Sequence, residues 1–88
     1  MVWFRDLIFD DWNREHIARH GVESDEVAEA VGNAAFMTRS RRETYQLVGR
    51  TDAGRSLSVI LASRRYGVYY VVTAREATQE EQRRYRHR

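Results

Sequence analysis

The spacing of apolar positions changes partway along the chain, from a helical repeat to a repeat of two, and the change orders the elements. Residues 2–9 are apolar enough for a strand but are interrupted by Arg5 and Asp6, which mark a bend or a sheet edge. Asp10 or Asp11 can cap a short helix running through Arg19, with Gly21 as its stop. Trp12, His16 and His20 fall on one face of that helix at i, i+4 and i+8, with Ile17 beside them. Ser24 is placed to cap a second helix, and Asp25 and Glu26 sit in its first turn, where the helix dipole favours anions. Its narrow apolar stripe is Val27, Ala28 and Val31, and Gly32-Asn33 ends it.

Beyond Asn33 the period becomes two. Residues 35–38 form a short strand candidate, followed by the basic loop Arg39-Ser40-Arg41-Arg42. A second strand covers residues 44–50 and stops at Thr51-Asp52-Ala53-Gly54, a turn with glycine where a positive φ is expected. Residues 56–62 form a third, with Leu57, Val59 and Leu61 on one face. Residues 68–75 form a fourth after a Tyr66-Gly67 turn; it is apolar on both faces, which argues for a central position. Thr78-Gln79-Glu80-Glu81 then reads as a capping box opening a last helix.

Strands at this spacing joined by short turns make an antiparallel meander. The expected fold class is therefore α+β: an antiparallel sheet of four strands, five if residues 2–9 join it, with two short helices before it and one after. With no proline, no linker composition and no repeat, residues 1–88 read as a single domain.

Composition narrows the classes further. At 42% hydrophobic and 11% aromatic residues the chain is globular rather than disordered. The absence of cysteine removes disulfides and thiol chemistry. No apolar run approaches the roughly 18 residues a membrane span needs, and no signal-peptide pattern is present, so a soluble cytoplasmic protein is expected. All 15 basic residues are arginine, so histidine supplies the only basic side chain able to act as a base.

Charge is divided along the chain. Residues 1–33 carry three arginines against eight acids, a balance of −5, and residues 34–88 carry twelve arginines against five acids, a balance of +7. A basic half of this strength suits a phosphate-rich partner such as nucleic acid, although an acidic protein or plain solvated surface leaves the same trace.

Arg75 stands where the fourth strand meets the last helix, its position fixed on both sides. A guanidinium held at such a junction suits a carboxylate or phosphate bound through two parallel hydrogen bonds. The alternative is an internal ion pair with Glu76 or Glu43; Glu81 is assigned to capping. His16 and His20 have the i, i+4 spacing of a metal-binding pair, but no third ligand is evident, so packing around Trp12 is preferred and no metal or cofactor is expected.

The segments Asn13-x-x-His16-Ile17-Ala18-Arg19-His20-Gly21-Val22 and Thr73-Ala74-Arg75-x-Ala77-Thr78-x-x-Glu81-x-x-x-Tyr85 resemble the BrnT-type toxins of bacterial toxin–antitoxin modules. These are small ribonucleases with a RelE-like fold, and the resemblance runs from about Phe9 to Tyr85. It places the family's basic-His-Gly on Arg19, His20 and Gly21, its late arginine on Arg75 and its strand-opening acid on Glu43. The arginine expected after that acid falls on Thr44, a departure that Arg41 or Arg42 would have to supply. The resemblance implies metal-free RNA cleavage and a cognate ribbon-helix-helix antitoxin, with a heterotetramer built on the antitoxin's own dimer. The alternative is a non-catalytic binding module on the same scaffold, which the departure at Thr44 favours.

Cleaving RNA without a metal needs a base for the ribose 2′-hydroxyl, cations for the developing phosphorane charge and an acid for the leaving oxygen. The candidate catalytic set is His20, Glu43, Arg75 and Tyr85, with His16 a second candidate base. Arg19, Arg42, Arg50, Arg64 and Tyr69 are the candidate RNA contacts. Each has a plainer role: Glu43 in a strand-edge ion pair, His20 packed at a helix end, Tyr85 in the core. Tyr66, Tyr69 and Tyr70 are interleaved with Arg64 and Arg65, so exposed rings there can stack on unpaired bases. Tyr70 shares the apparent inward face of Val68 and Val72 and reads as core; Tyr69 is open between the two roles.

Overall fold

The computed structural model describes residues 2–86. In chain order the elements are β1 (Asp6–Ile8), α1 (Asp11–Ala18), α2 (Ser24–Asn33), β2 (Met37–Arg39), β3 (Thr44–Arg50), β4 (Ser56–Arg65), β5 (Val68–Glu76) and α3 (Gln79–Arg84). The strands form one sheet in the order β1-β5-β4-β3-β2. The expected meander is present from β2 to β5, every neighbouring pair antiparallel. The fifth strand also exists, but it is three residues long and lies parallel to β5, so the sheet is mixed. The chain between β1 and β5 passes through two helices and three strands, which gives it room to return in the same direction.

Both N-terminal helices cover one face of the sheet. Ile17, Val22, Val27, Ala30 and Val31 are buried there against Leu47, Leu57, Val59, Leu61, Val71 and Ala74. The buried stripe of α2 includes Ala30 in place of the expected Ala28, because positions 27, 30 and 31 lie within one face about 100° wide. Backbone contact is close: a Cβ on Gly49 of β3 would fall 1.9 Å from the Ala30 carbonyl oxygen.

The helix starts follow from capping. Asp10 accepts from the Asn13 N–H at 2.8 Å while the Asn13 side chain accepts from the Asp10 N–H at 2.9 Å. At α2 the cap is Glu23 rather than Ser24, its N–H donating to Glu26 at 3.0 Å. Thr78 and Glu81 close the expected capping box of α3. This last helix lies on the other face of the sheet, where Glu81 meets Gln46 of β3 and Arg75 of β5. Among the described residues no helix is long and apolar enough to cross a membrane.

Candidate functional site

Alternation along the strands decides which side chains meet on the face that α1 and α2 leave uncovered. Leu47, Val59 and Ala74 point into the core, so their neighbours Gln46, Ser58 and Arg75 point the other way. Arg75 lies opposite Ser58 in the ladder, and Gln46 donates to Ser58 at 3.0 Å. The Arg75 guanidinium forks onto Glu81, with Nη1 to Oε1 at 2.9 Å and Nη2 to Oε2 at 2.8 Å. Nη1 also donates to the Glu76 carbonyl at 3.1 Å.

The expected ion pair of Arg75 therefore exists, but its acid is Glu81 rather than the Glu76 or Glu43 carboxylate. Glu81 performs its capping role and this one together, since it accepts from the Thr78 N–H and from Gln46 as well. The guanidinium beside it holds its carboxyl at about 2, against an ordinary 4.5. The same bond holds Arg75 more firmly protonated.

Beside this pair runs an open groove of about 410 Å³, between α3 and the ends of β3 and β4. Gln82, Tyr85 and Arg86 line it from α3 and the residues after it, at the i, i+3, i+4 spacing that puts side chains on one helix face. Arg50, Ser56 and Asn33 line the opposite wall. Asn33 donates to the Arg50 carbonyl at 2.8 Å, which ties the end of α2 to the end of β3. Among the described residues no carboxylate lies within ion-pair distance of Arg50 or Arg86. The groove thus offers two guanidinium groups and several neutral donors, a lining suited to an anion such as phosphate. Among the described residues no carboxylate or imidazole lines it.

The candidate residues of the sequence are not gathered in one place. Tyr85 does reach the groove, but it is buried, stacked on Phe36 and hydrogen-bonded at 2.7 Å to Thr38, so its hydroxyl is already engaged. His20 lies exposed in the turn after α1, on the helix-covered side, edge-on to His16. The next residue, Gly21, is tied by its carbonyl to Arg55, whose guanidinium also pairs with Glu26. Arg19 pairs with Glu15 on the same helix at 3.9 Å. Glu43 and Arg42 sit in the β2–β3 turn, where the Glu43 carbonyl meets the Ser63 N–H. Ser63 pairs with Tyr69, six residues along β5 from Arg75, which puts that turn about 20 Å away. Arg64 lies at the same distant end, its guanidinium over the Tyr70 ring.

Two aromatic expectations are corrected. Tyr69 packs against the core and lies edge-on to Tyr45, and its burial pushes its hydroxyl up, so it presents no free ring. Tyr70 instead points to the other face and donates to Asp10 at 3.1 Å. The cause is a bulge: Ile60 pairs with Thr73 and Leu61 with Val71, leaving Val72 over, and the alternation set by Ala74 inverts beyond it. Trp12 does carry the packing expected around it, but on the surface, with His16 stacked parallel to it at 5.2 Å. Among the described residues no group of three or more His, Cys, Asp or Glu side chains is arranged to hold a metal ion.

Sequence reasoning missed the groove's Arg86, Gln82, Ser56 and Asn33. The helical spacing of Gln82, Tyr85 and Arg86 was a usable signal; the approach of Asn33 to Arg50 had none.

Comparison with known proteins adds the fold. No family model matches the chain, and no curated protein matches it. Among solved structures, the ribonuclease toxin BrnT of Brucella abortus superposes with a TM-score of 0.70 at 22% identity, covering 84% of this chain and 97% of that one. The chain has the fold of that toxin.

Proposed function

We propose that this chain is a ribonuclease toxin that cleaves single-stranded RNA without a metal ion. One observation carries the reading: the Brucella ribonuclease toxin is matched over 97% of its own length by this fold. The lining of the groove supports it, because Arg50 and Arg86 can meet a phosphodiester and the charge that develops on it during attack by the adjacent 2′-hydroxyl. Arg75 anchors α3 beside them through Glu81. His20 and Glu43 lie too far from this groove to reach a 2′-hydroxyl beside a phosphate held by Arg50 and Arg86, so as proposed bases they imply a scissile phosphate bound next to them and not in the groove.

Purified protein incubated with RNA in excess EDTA should yield 2′,3′-cyclic phosphate ends. Complete loss of cleavage on chelation would sink the metal-free mechanism.

A specific observation favours the rival reading, a binding module that does not cleave. Arg75 is engaged in both of its forks by Glu81, and among the described residues no carboxylate or imidazole lines the groove. Induced expression separates the two: a nuclease arrests growth and a binder is harmless.

The proposed protein partner is a ribbon-helix-helix antitoxin, two complexes joining through its dimer as a heterotetramer. Such a partner would have to set carboxylates or carbonyls opposite Arg50 and Arg86, since burying guanidinium groups unpaired is costly. Co-purification with the product of the neighbouring gene is the direct test, and separate elution at low salt together with failure to rescue growth would remove the toxin assignment.

A further inference from the structure

Six guanidinium groups collect at the end of the sheet opposite the groove. Arg39, Arg41 and Arg42 belong to the β2–β3 turn and its approach, Arg64 and Arg65 to the end of β4, and Arg5 joins them through its N–H bond to the Gly67 carbonyl at 2.7 Å. The four ion pairs among the described residues use Arg19, Arg55, Arg75 and Arg84, so none of these six has a carboxylate within reach. The acids nearby are Glu43, Asp6 and Asp10; Asp6 accepts from the Leu7 N–H, and Asp10 accepts from the Tyr70 hydroxyl, whose ring lies under Arg64.

Two large aromatic side chains stand exposed at the same end, Trp3 at 67% and Tyr66 at 74%. Neither is loose. The Trp3 ring lies flush on the β4–β5 turn, so close that a Cβ on Gly67 would come within 2.3 Å of it. Tyr66 is held at φ +52°, in the left-handed region that non-glycine residues avoid, and Arg65 lies over its ring at 5.5 Å. Arg42 and Glu43 in the facing turn are left-handed too, at φ +44° and +60°. Both turns have the positive-φ pair of residues that tight hairpins use, which fixes their shape, and both present charge or rings to solvent.

We infer that this end of the sheet is a second nucleic-acid surface, which binds single-stranded RNA by stacking bases on Trp3 and Tyr66 and meeting phosphates with the arginines of the two turns. The inference rests on the proposed function only in taking RNA as the ligand. A protein partner would have to set a carboxylate or a carbonyl opposite each guanidinium that it buried. A nucleic-acid strand supplies a phosphate at every step, and any base can stack on an exposed ring. β4 runs about 30 Å from the groove at Ser56 to this turn, so one extended strand can touch both.

The test uses a labelled single-stranded 2′-O-methyl oligonucleotide of about 10 nucleotides, read by fluorescence anisotropy. It has no free 2′-hydroxyl, so binding is read apart from cleavage. Trp3→Ala/Tyr66→Ala should weaken binding at least about 10-fold, and the Tyr66→Phe/Trp3→Phe pair should restore most of it. Arg41→Gln/Arg42→Gln should reduce the slope of log affinity against log salt by about 1.4. A fully paired duplex of the same sequence should compete weakly, because its bases cannot stack on protein rings. Unchanged binding by the double-alanine variant, with the parent's circular dichroism and melting, overturns the inference. So does an unchanged salt slope, or a variant that loses the antitoxin and keeps the oligonucleotide. A parent chain that binds the strand through these residues yet leaves RNA uncut upholds this surface and removes the ribonuclease reading alone.

Discussion

The side-chain amide of Asn13 donates to the main-chain carbonyl of Val71 at 2.8 Å, joining α1 to the centre of β5 across 58 positions of sequence. The same nitrogen donates to the Ile8 carbonyl at 3.0 Å, and the amide oxygen accepts from the Asp10 N–H. Asn13 is fully buried, and every polar atom of its side chain has a partner. One residue therefore caps α1, fixes it on the sheet and holds β1 beside β5.

Asn13→Ala removes the reciprocal cap and takes the amide donor from the Ile8 and Val71 carbonyls. A loss of about 2–4 kcal/mol is expected. Asn13→Asp keeps the acceptor for Asp10 but aims a carboxylate at both carbonyls, so it should be at least as damaging. Urea unfolding of the two variants measures this, and a loss below about 1 kcal/mol in both would reject the role given to Asn13.

Two glycines should respond in opposite directions. Gly49→Ala drives a Cβ into the Ala30 carbonyl, a backbone atom that cannot step aside, so α2 must lift off β3; the expected cost is about 3 kcal/mol or more. Gly32 lies in α2 with open space where its Cβ would be. Gly32→Ala should stabilise by about 0.5–1 kcal/mol through helix propensity. Thermal melts of the pair decide it, and equal shifts would contradict the close packing of α2 on β3.

The Arg75–Glu81 pair predicts a pH dependence with a definite sign. The Glu81 carboxyl is held at about 2 in the folded protein against an ordinary 4.5, so its contribution is fully present above about pH 4.5 and is lost as pH falls toward 2. Glu81→Gln should lower the melting temperature at neutral pH and flatten the decline between pH 4.5 and 2. A variant whose melting follows the parent's at every pH in that window would show that the pair contributes nothing to stability.

The meander from β2 to β5 and all three helices were legible in the sequence because local signals set them: alternation, capping residues and turn glycines. What local signals cannot carry is pairing across the chain. The parallel partner of β1 is chosen by Asn13 binding Ile8 and Val71 together, a contact no spacing rule foresees. The inversion of Tyr69 and Tyr70 comes from one unpaired residue in β5, and a strand pattern read with a strict period of two carries straight past it. The acid for Arg75 was misjudged for a related reason: capping appeared to account for Glu81, whereas two carboxylate oxygens can cap a helix and receive a guanidinium at once.

Substitutions of Arg50, Arg75 and Glu81 separate charge delivered to substrate from charge spent on structure. Among the described residues Arg50 has no acid partner, and its side chain lines the groove, so Arg50→Ala should lower RNA cleavage by about 10²–10³ with little change in melting temperature. Arg75→Ala should lower cleavage and melting temperature together, because it unpairs Glu81 and loosens α3, which carries Gln82, Tyr85 and Arg86 into the groove. Glu81→Gln then distinguishes two roles for Arg75. If the guanidinium acts by positioning α3, losing its carboxylate partner should depress cleavage nearly as far as Arg75→Ala. If it acts on the phosphate, releasing it from Glu81 should leave cleavage unchanged or raise it. The geometry, with both forks of the guanidinium already closed on Glu81, predicts the first result. Faster cleavage by Glu81→Gln would reverse that assignment and make Glu81 a restraint on the catalytic arginine.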